Sequence, residues 1–149
     1  MSTVTTAATR TIDAPAAVVF RCLSDFRAHH QRILPPAFSD FRVEEGGTGE
    51  GTVVSFVVTA GGRSRRYHMR VAVPEPGRVL EEHDTGSSLV TIFTLTPDGD
   101  RTHVRIETTW QGAGGVGGFF ERLFAPGAMK RIYDDELARL DAYAHDQGA

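Results

Sequence analysis

Glu82 is the side chain whose type and position offer the most chemistry in this chain of 149 residues. It falls on the alternation that otherwise carries the apolar residues of its segment, so its carboxyl points where Leu80 points. A carboxyl turned into apolar space titrates high, because burial disfavours the charged form. Such a group suits general acid or base work in enolisation, aldol closure or dehydration. Tyr67 and Thr91 share its face and are placed to bind a ligand oxygen. The structural alternative puts Glu82 near a ragged sheet end, solvated or paired with an arginine such as Arg65. Asp84 shares the face but adjoins a turn, and is expected in solvent.

The adjacent histidines of "RAHHQRILPPAF", residues 27–38, are the next candidates. Neighbours on a helix point about 100° apart, so His29 and His30 do not converge on one ion; helical metal pairs use a spacing of three or four. The chain has neither HxxxH nor HExxH, and His68, His83 and His103 map to the outer sheet face, so no metal site is expected. The two histidines read either as exposed helix residues without a role or as one exposed and one at a cavity rim. Cys22 lies on the apolar stripe of its helix and reads as small core. "GAGGVG", residues 112–117, formally matches GxGxxG, but dinucleotide binding needs a parallel strand after the following helix, and none is left in this sequence. The glycines read instead as an entry to the long helix. GxSxG and a P-loop are absent, and no cofactor is expected.

The elements that position these residues follow from periodicity. "VTTAATRTID" reads as an opening strand. "APAAVVFRCLSD" is a short helix, with Pro15 fitting the first turn, and "FRAHHQRIL" continues as a second helical piece that Pro35 and Pro36 stop. From Phe38 to Gln111 the pattern alternates at period two between turn signals, giving six consecutive antiparallel strands. A long amphipathic helical segment runs from about Phe119 to His145, with a phase slip near Pro126. Short loops set register. A Gly61-Gly62 turn pairs Phe56 with Tyr67 and Val54 with Met69. A Pro74-to-Gly77 loop pairs Met69 with Glu82, a Gly86-Ser87 turn pairs Glu82 with Thr91, and an Asp98-Gly99 turn pairs Phe93 with Val104. One face then collects Val54, Phe56, Val58, Tyr67, Met69, Val71, Leu80, Leu89, Phe93, Val104, Ile106 and Trp110, while Arg66, His68, Arg70, Glu81, His83, His103, Arg105 and Glu107 take the other.

Composition narrows the partners. The net charge of -3 is spread along the chain with no basic block, which argues against nucleic acid or an anionic membrane surface. One cysteine excludes an intramolecular disulfide framework. No apolar run approaches the roughly 18 residues of a membrane span, and the first twenty residues lack the order of a signal peptide. The expectation is a single domain over residues 1–149, cytoplasmic, a monomer or weak homodimer, without membrane insertion. Seven strands span about 30 Å and a helix only about 10 Å, so the sheet must curl around the long helix, which tends to leave an internal space.

This order of elements resembles the helix-grip fold of the START-like, or SRPBCC, superfamily: an α+β domain with a curved seven-stranded antiparallel sheet around a long C-terminal helix and two short helices between strands 1 and 2. "TIDAPAAVVFRCLSDF", "GTGEGTVVSF", "VPEPGRVLEE" and "FFERLFAPGAMKRIYDDELARL" are similar to the polyketide cyclase/dehydrase family within it. The resemblance covers nearly the whole chain and implies a hydrophobic cavity holding a polyketide, lipid or quinone-like molecule, without a shared catalytic set. Carried onto this sequence, the cavity is expected to use Ile33, Phe56, Tyr67, Met69, Thr91, Ile106, Trp110, Phe120, Phe124, Met129 and Tyr133. Three readings stand: a module that binds one small apolar molecule; a cyclase or dehydratase in which Glu82, with Tyr67 or a rim histidine, acts on a poly-ketone; and an interaction domain whose cavity is filled by side chains.

Overall fold

Alternation at period two produces seven antiparallel strands, and the computed structural model describes them within residues 3–111 and 126–148. They are β1 (Thr3–Ile12), β2 (Phe38–Glu45), β3 (Val53–Ala60), β4 (Arg63–Glu75), β5 (Val79–Asp84), β6 (Val90–Asp98) and β7 (Arg101–Gln111). Helix α1 (Ala16–Ser24) and a 3-10 turn (His30–Ile33) separate β1 from β2, and helix α2 (Pro126–Gly148) closes the described chain. The strand order is β1-β7-β6-β5-β4-β3-β2, so every neighbour is a hairpin partner except that β1 returns to pair with β7. Helix α2 lies against the inner face, and the Asp141 carboxylate fixes it to β1 by accepting from Arg10 Nε at 3.0 Å and from the Asp13 amide at 2.8 Å.

Turn chemistry set two registers as expected and displaced two others. Gly61 and Gly62 both have positive φ and close the β3–β4 hairpin with Phe56 opposite Tyr67. Across β5 and β6, Glu82 faces Thr91 and Leu80 faces Phe93. Between β4 and β5, however, Met69 pairs with Asp84 and Val71 with Glu82, because the loop closes later, at Glu75 and Val79, and a bulge between Ala72 and Glu75 takes up one residue. Between β6 and β7, Asp98 pairs with Arg101 across Gly99-Asp100, so Phe93 meets Ile106 rather than Val104. Both corrections are shifts of two residues. A shift of two preserves which face a side chain takes, whereas a shift of one would invert it. The inner face is therefore as expected, and His68, Arg70, His83, His103 and Arg105 are exposed on the outer one.

The second helical piece differs from expectation. Asp25 interrupts it: its Oδ1 accepts the amides of Arg27 at 3.1 Å and Ala28 at 2.9 Å, the bonding of a turn. The chain restarts as a 3-10 turn only at His30. That break rotates His30 inward, where it is 3% exposed, and this corrects the reading of both histidines as exposed. Helix α2 begins at Pro126, a residue suited to a first helical turn. The expected glycine-rich entry at 112–117 and helical residues 119–125 lie outside the described residues. From Met129 onward the buried stripe of α2 is Met129, Tyr133, Glu136, Leu137, Leu140 and Ala144.

Candidate functional site

The curl of the sheet leaves a slender cavity between β3–β7, the 3-10 turn and the first turns of α2. Its volume is about 40 Å³, room for roughly three waters. Phe38, Phe41 and Leu34 stand half-buried at its edge; Phe56, Val58, Met69, Leu89, Phe93, Ile106 and Met129 form its apolar wall. Among the described residues the polar lining consists of His30, Tyr67, Glu82, Thr91, Tyr133 and Glu136.

Glu82 is buried in this wall and makes no hydrogen bond among the described residues. Loss of solvation raises its pKa to about 7. His30 stands beside it, with Nε2 3.7 Å from Oε2. That approach is not an ion pair. His30 donates Nδ1–H to the Leu23 carbonyl at 2.7 Å, and burial lowers its titration to about 4, so the ring is neutral. Its Nε2 then turns a lone pair toward Glu82, which the acid form of the carboxyl tolerates better than the carboxylate does. The ring is fixed by stacking on Phe26, with centroids 4.4 Å apart, and by the edge-on Phe93.

Opposite, on α2, Glu136 is 2% exposed and its carboxyl is raised well above the usual range. Burial is the main cause, and the charge of Glu82 adds to it, so the two carboxyls oppose each other's ionisation. Tyr133, one turn earlier, bonds to Thr108, which bonds to Thr91 at 2.7 Å. Desolvation holds the Tyr133 and Tyr67 phenols above their ordinary range, so both remain neutral donors. Beyond Tyr67 the Arg65 guanidinium covers the ring at 4.5 Å and meets Asp84 at 3.2 Å.

The structure brings Phe56, Tyr67, Met69, Glu82, Thr91, Ile106, Met129 and Tyr133 to one cavity. Ile33 and Trp110 are buried but lie off it. Leu34, the residue after the 3-10 turn, takes the lining position expected of Ile33, and Trp110 sits one inward step past Thr108, against β1 at Val4. Phe120 and Phe124 lie outside the described residues. Asp84 is a correction: it is buried, taken from solvent by Arg65 and by Ser87 at 2.5 Å. The arginine expected as a partner for Glu82 therefore serves Asp84 instead. Glu136 is a lining residue that sequence reasoning missed, and His30 is the histidine of the pair that takes the place the rim reading left open between the two. Glu136 was detectable, because it lies seven residues after Met129, three after Tyr133 and four before Leu140, on the buried stripe. His29 is half-buried away from the cavity, its Nδ1 2.7 Å from the Tyr143 hydroxyl. Among the described residues no set of three His, Cys, Asp or Glu side chains converges as a metal site, and no helix is long and apolar enough to cross a membrane.

Residues 3–145 match the family described as polyketide cyclase / dehydrase and lipid transport. No match was found among curated proteins. Among solved structures, the KanY protein, determined by solution NMR, is 37% identical with a TM-score of 0.85, over 97% of this chain and 99% of that one. The major latex-like protein 151 of Panax ginseng is 16% identical with a TM-score of 0.72, over 95% and 97% of the two chains. Norcoclaurine synthase of Thalictrum flavum is 14% identical with a TM-score of 0.74, over 99% and 90%. The last two likenesses are likenesses of fold.

Proposed function

The chain belongs to the polyketide cyclase/dehydrase and lipid transport family, and on that premise we propose that it holds one small, mostly apolar molecule, polyketide, lipid or quinone-like, between the sheet and α2. The observation that carries this reading is the aromatic-walled cavity with a few convergent polar groups, the usual constitution of a small-molecule site. A ligand larger than a few waters must displace part of the lining. The half-buried Phe38 and Phe41 at the edge and the flexible thioether of Met129 are the side chains with freedom to yield. Native mass spectrometry of gently purified protein, followed by titration with the uncharged dye N-phenyl-1-naphthylamine, tests the reading. One bound molecule per chain is expected, with binding weakened when Met129→Trp fills the space in a variant of unchanged circular dichroism. Dye binding indifferent to that substitution contradicts it.

Glu82 favours a second reading, an enzyme of the cyclase or dehydratase kind. A carboxyl near neutrality in apolar surroundings can accept a proton from carbon alpha to a ketone and return it to oxygen. Its neighbour Glu136 would then hold the opposite protonation state, the arrangement by which paired carboxyls divide acid and base roles. Glu82→Gln that leaves turnover of a poly-ketone substrate intact excludes this role.

A further inference from the structure

Charge distribution in the cavity narrows the ligand further, on the premise that the cavity binds a small molecule. Two of its lining residues, Glu82 and Glu136, carry carboxyls that are more than nine-tenths buried, and neither makes a hydrogen bond among the described residues. They approach from opposite sides, one from β5 and one from α2. Among the described residues the other titratable groups lining the cavity are neutral: His30 from the 3-10 turn, with its Nε2 lone pair inward, Tyr67 from β4, and Tyr133 from α2, whose hydroxyl is engaged in the threonine chain. The Arg65 guanidinium, over the Tyr67 ring, meets Asp84 at 3.2 Å, so that pair's charges offset each other. Among the described residues no lysine or arginine lines the cavity.

An anionic ligand would enter such a space against two acids and without a partner. A cation would meet two carboxyls, the inward acceptor of His30 and an aromatic lining of Phe41, Phe56 and Phe93, rings whose quadrupoles favour positive charge over their faces. We infer that the cavity selects an apolar molecule bearing one basic nitrogen, bound as its ammonium between Glu82 and Glu136. Entry of the ammonium would reverse the penalty on ionisation there, so a carboxyl that holds its proton in the empty protein gives it up on binding.

The test compares three probes on one skeleton, 4-phenylbutylamine, 4-phenylbutan-1-ol and 4-phenylbutanoate, by isothermal titration calorimetry at pH 6 in two buffers of different ionisation enthalpy. The amine is expected to bind about tenfold or more tightly than the alcohol, the carboxylate weakest of all. Amine binding should release a proton to buffer, and alcohol binding should not. Glu82→Gln and Glu136→Gln should each bring the amine-to-alcohol ratio toward one; if either variant fails to fold, proton release in the unaltered protein still decides. Equal affinity for amine and alcohol, preference for the carboxylate, or amine binding without proton release overturns the inference while leaving cavity binding standing. Failure of all three probes and of the uncharged dye overturns both.

Discussion

Glu82 and Asp84 stand two residues apart on β5, point to the same side of the sheet and are both more than nine-tenths buried. Asp84 reaches Arg65 at 3.2 Å and the Ser87 hydroxyl at 2.5 Å, and the Gly86 amide approaches at 3.4 Å. Glu82 has an inward lone pair of a neutral imidazole 3.7 Å away and no hydrogen bond among the described residues. One carboxyl is thus part of the frame that holds the sheet end together. The other is stored in the cavity at a cost to the fold, as groups kept for binding or proton transfer tend to be. Burial alone does not separate them. The partners do.

Substitution should give opposite signs at the two positions. Asp84→Ala leaves the Arg65 guanidinium without its carboxylate, and stability should fall by about 3–4 kcal/mol in urea denaturation at pH 7. A loss near zero would mean that Asp84 is as poorly satisfied as Glu82. Glu82→Gln should show its effect as a pH slope. The folded protein keeps the Glu82 proton up to about pH 7, whereas an ordinary carboxyl releases it at 4.5. Its contribution to stability is therefore present below 4.5 and lost as pH rises through 7. His30 runs the other way, ordinary value 6.5 and about 4 in the fold, so its contribution is present above 6.5 and lost as pH falls through 4. Glu136, also raised, adds to the Glu82 side. Removing Glu82 removes one proton of linkage, so the stability of Glu82→Gln relative to the parent should climb by about 1.4 kcal/mol per pH unit between 4.5 and 7. Parallel profiles would place Glu82 in an ordinary aqueous environment. Smallest, Thr91→Val breaks the chain through Thr108 to Tyr133 and should cost about 1 kcal/mol, read as a drop in Tm. No change would mean that water replaces the lost bond.

The same contrast marks what could be read from sequence. Face assignment survived register errors at two hairpins, because both errors were even and side chains alternate with period two. Glu82 was legible for that reason. The loss of Asp84 to the interior was not, since it depends on a long arginine from the neighbouring strand reaching back over Tyr67. Which of the two histidines turns inward was hidden by Asp25, whose side chain breaks the helical phase that spacing arguments assume. Glu136 was in plain view on the apolar stripe of α2, but a glutamate among helix-surface charges such as Asp134 and Asp135 carries no mark of burial until the facing wall is known.

The central claim is that this cavity, and no surface groove, receives the ligand. Met69 and Met129 both line it, from β4 and α2 respectively. Carbon-13 labelling of the methionine methyls and titration with N-phenyl-1-naphthylamine observes the site directly. The account predicts that both methyl signals shift together and saturate at one dye per chain, and that the shifts are lost when Ile106→Trp fills the cavity floor in a variant that remains folded. Dye binding that leaves the Met69 and Met129 methyls unmoved would contradict it.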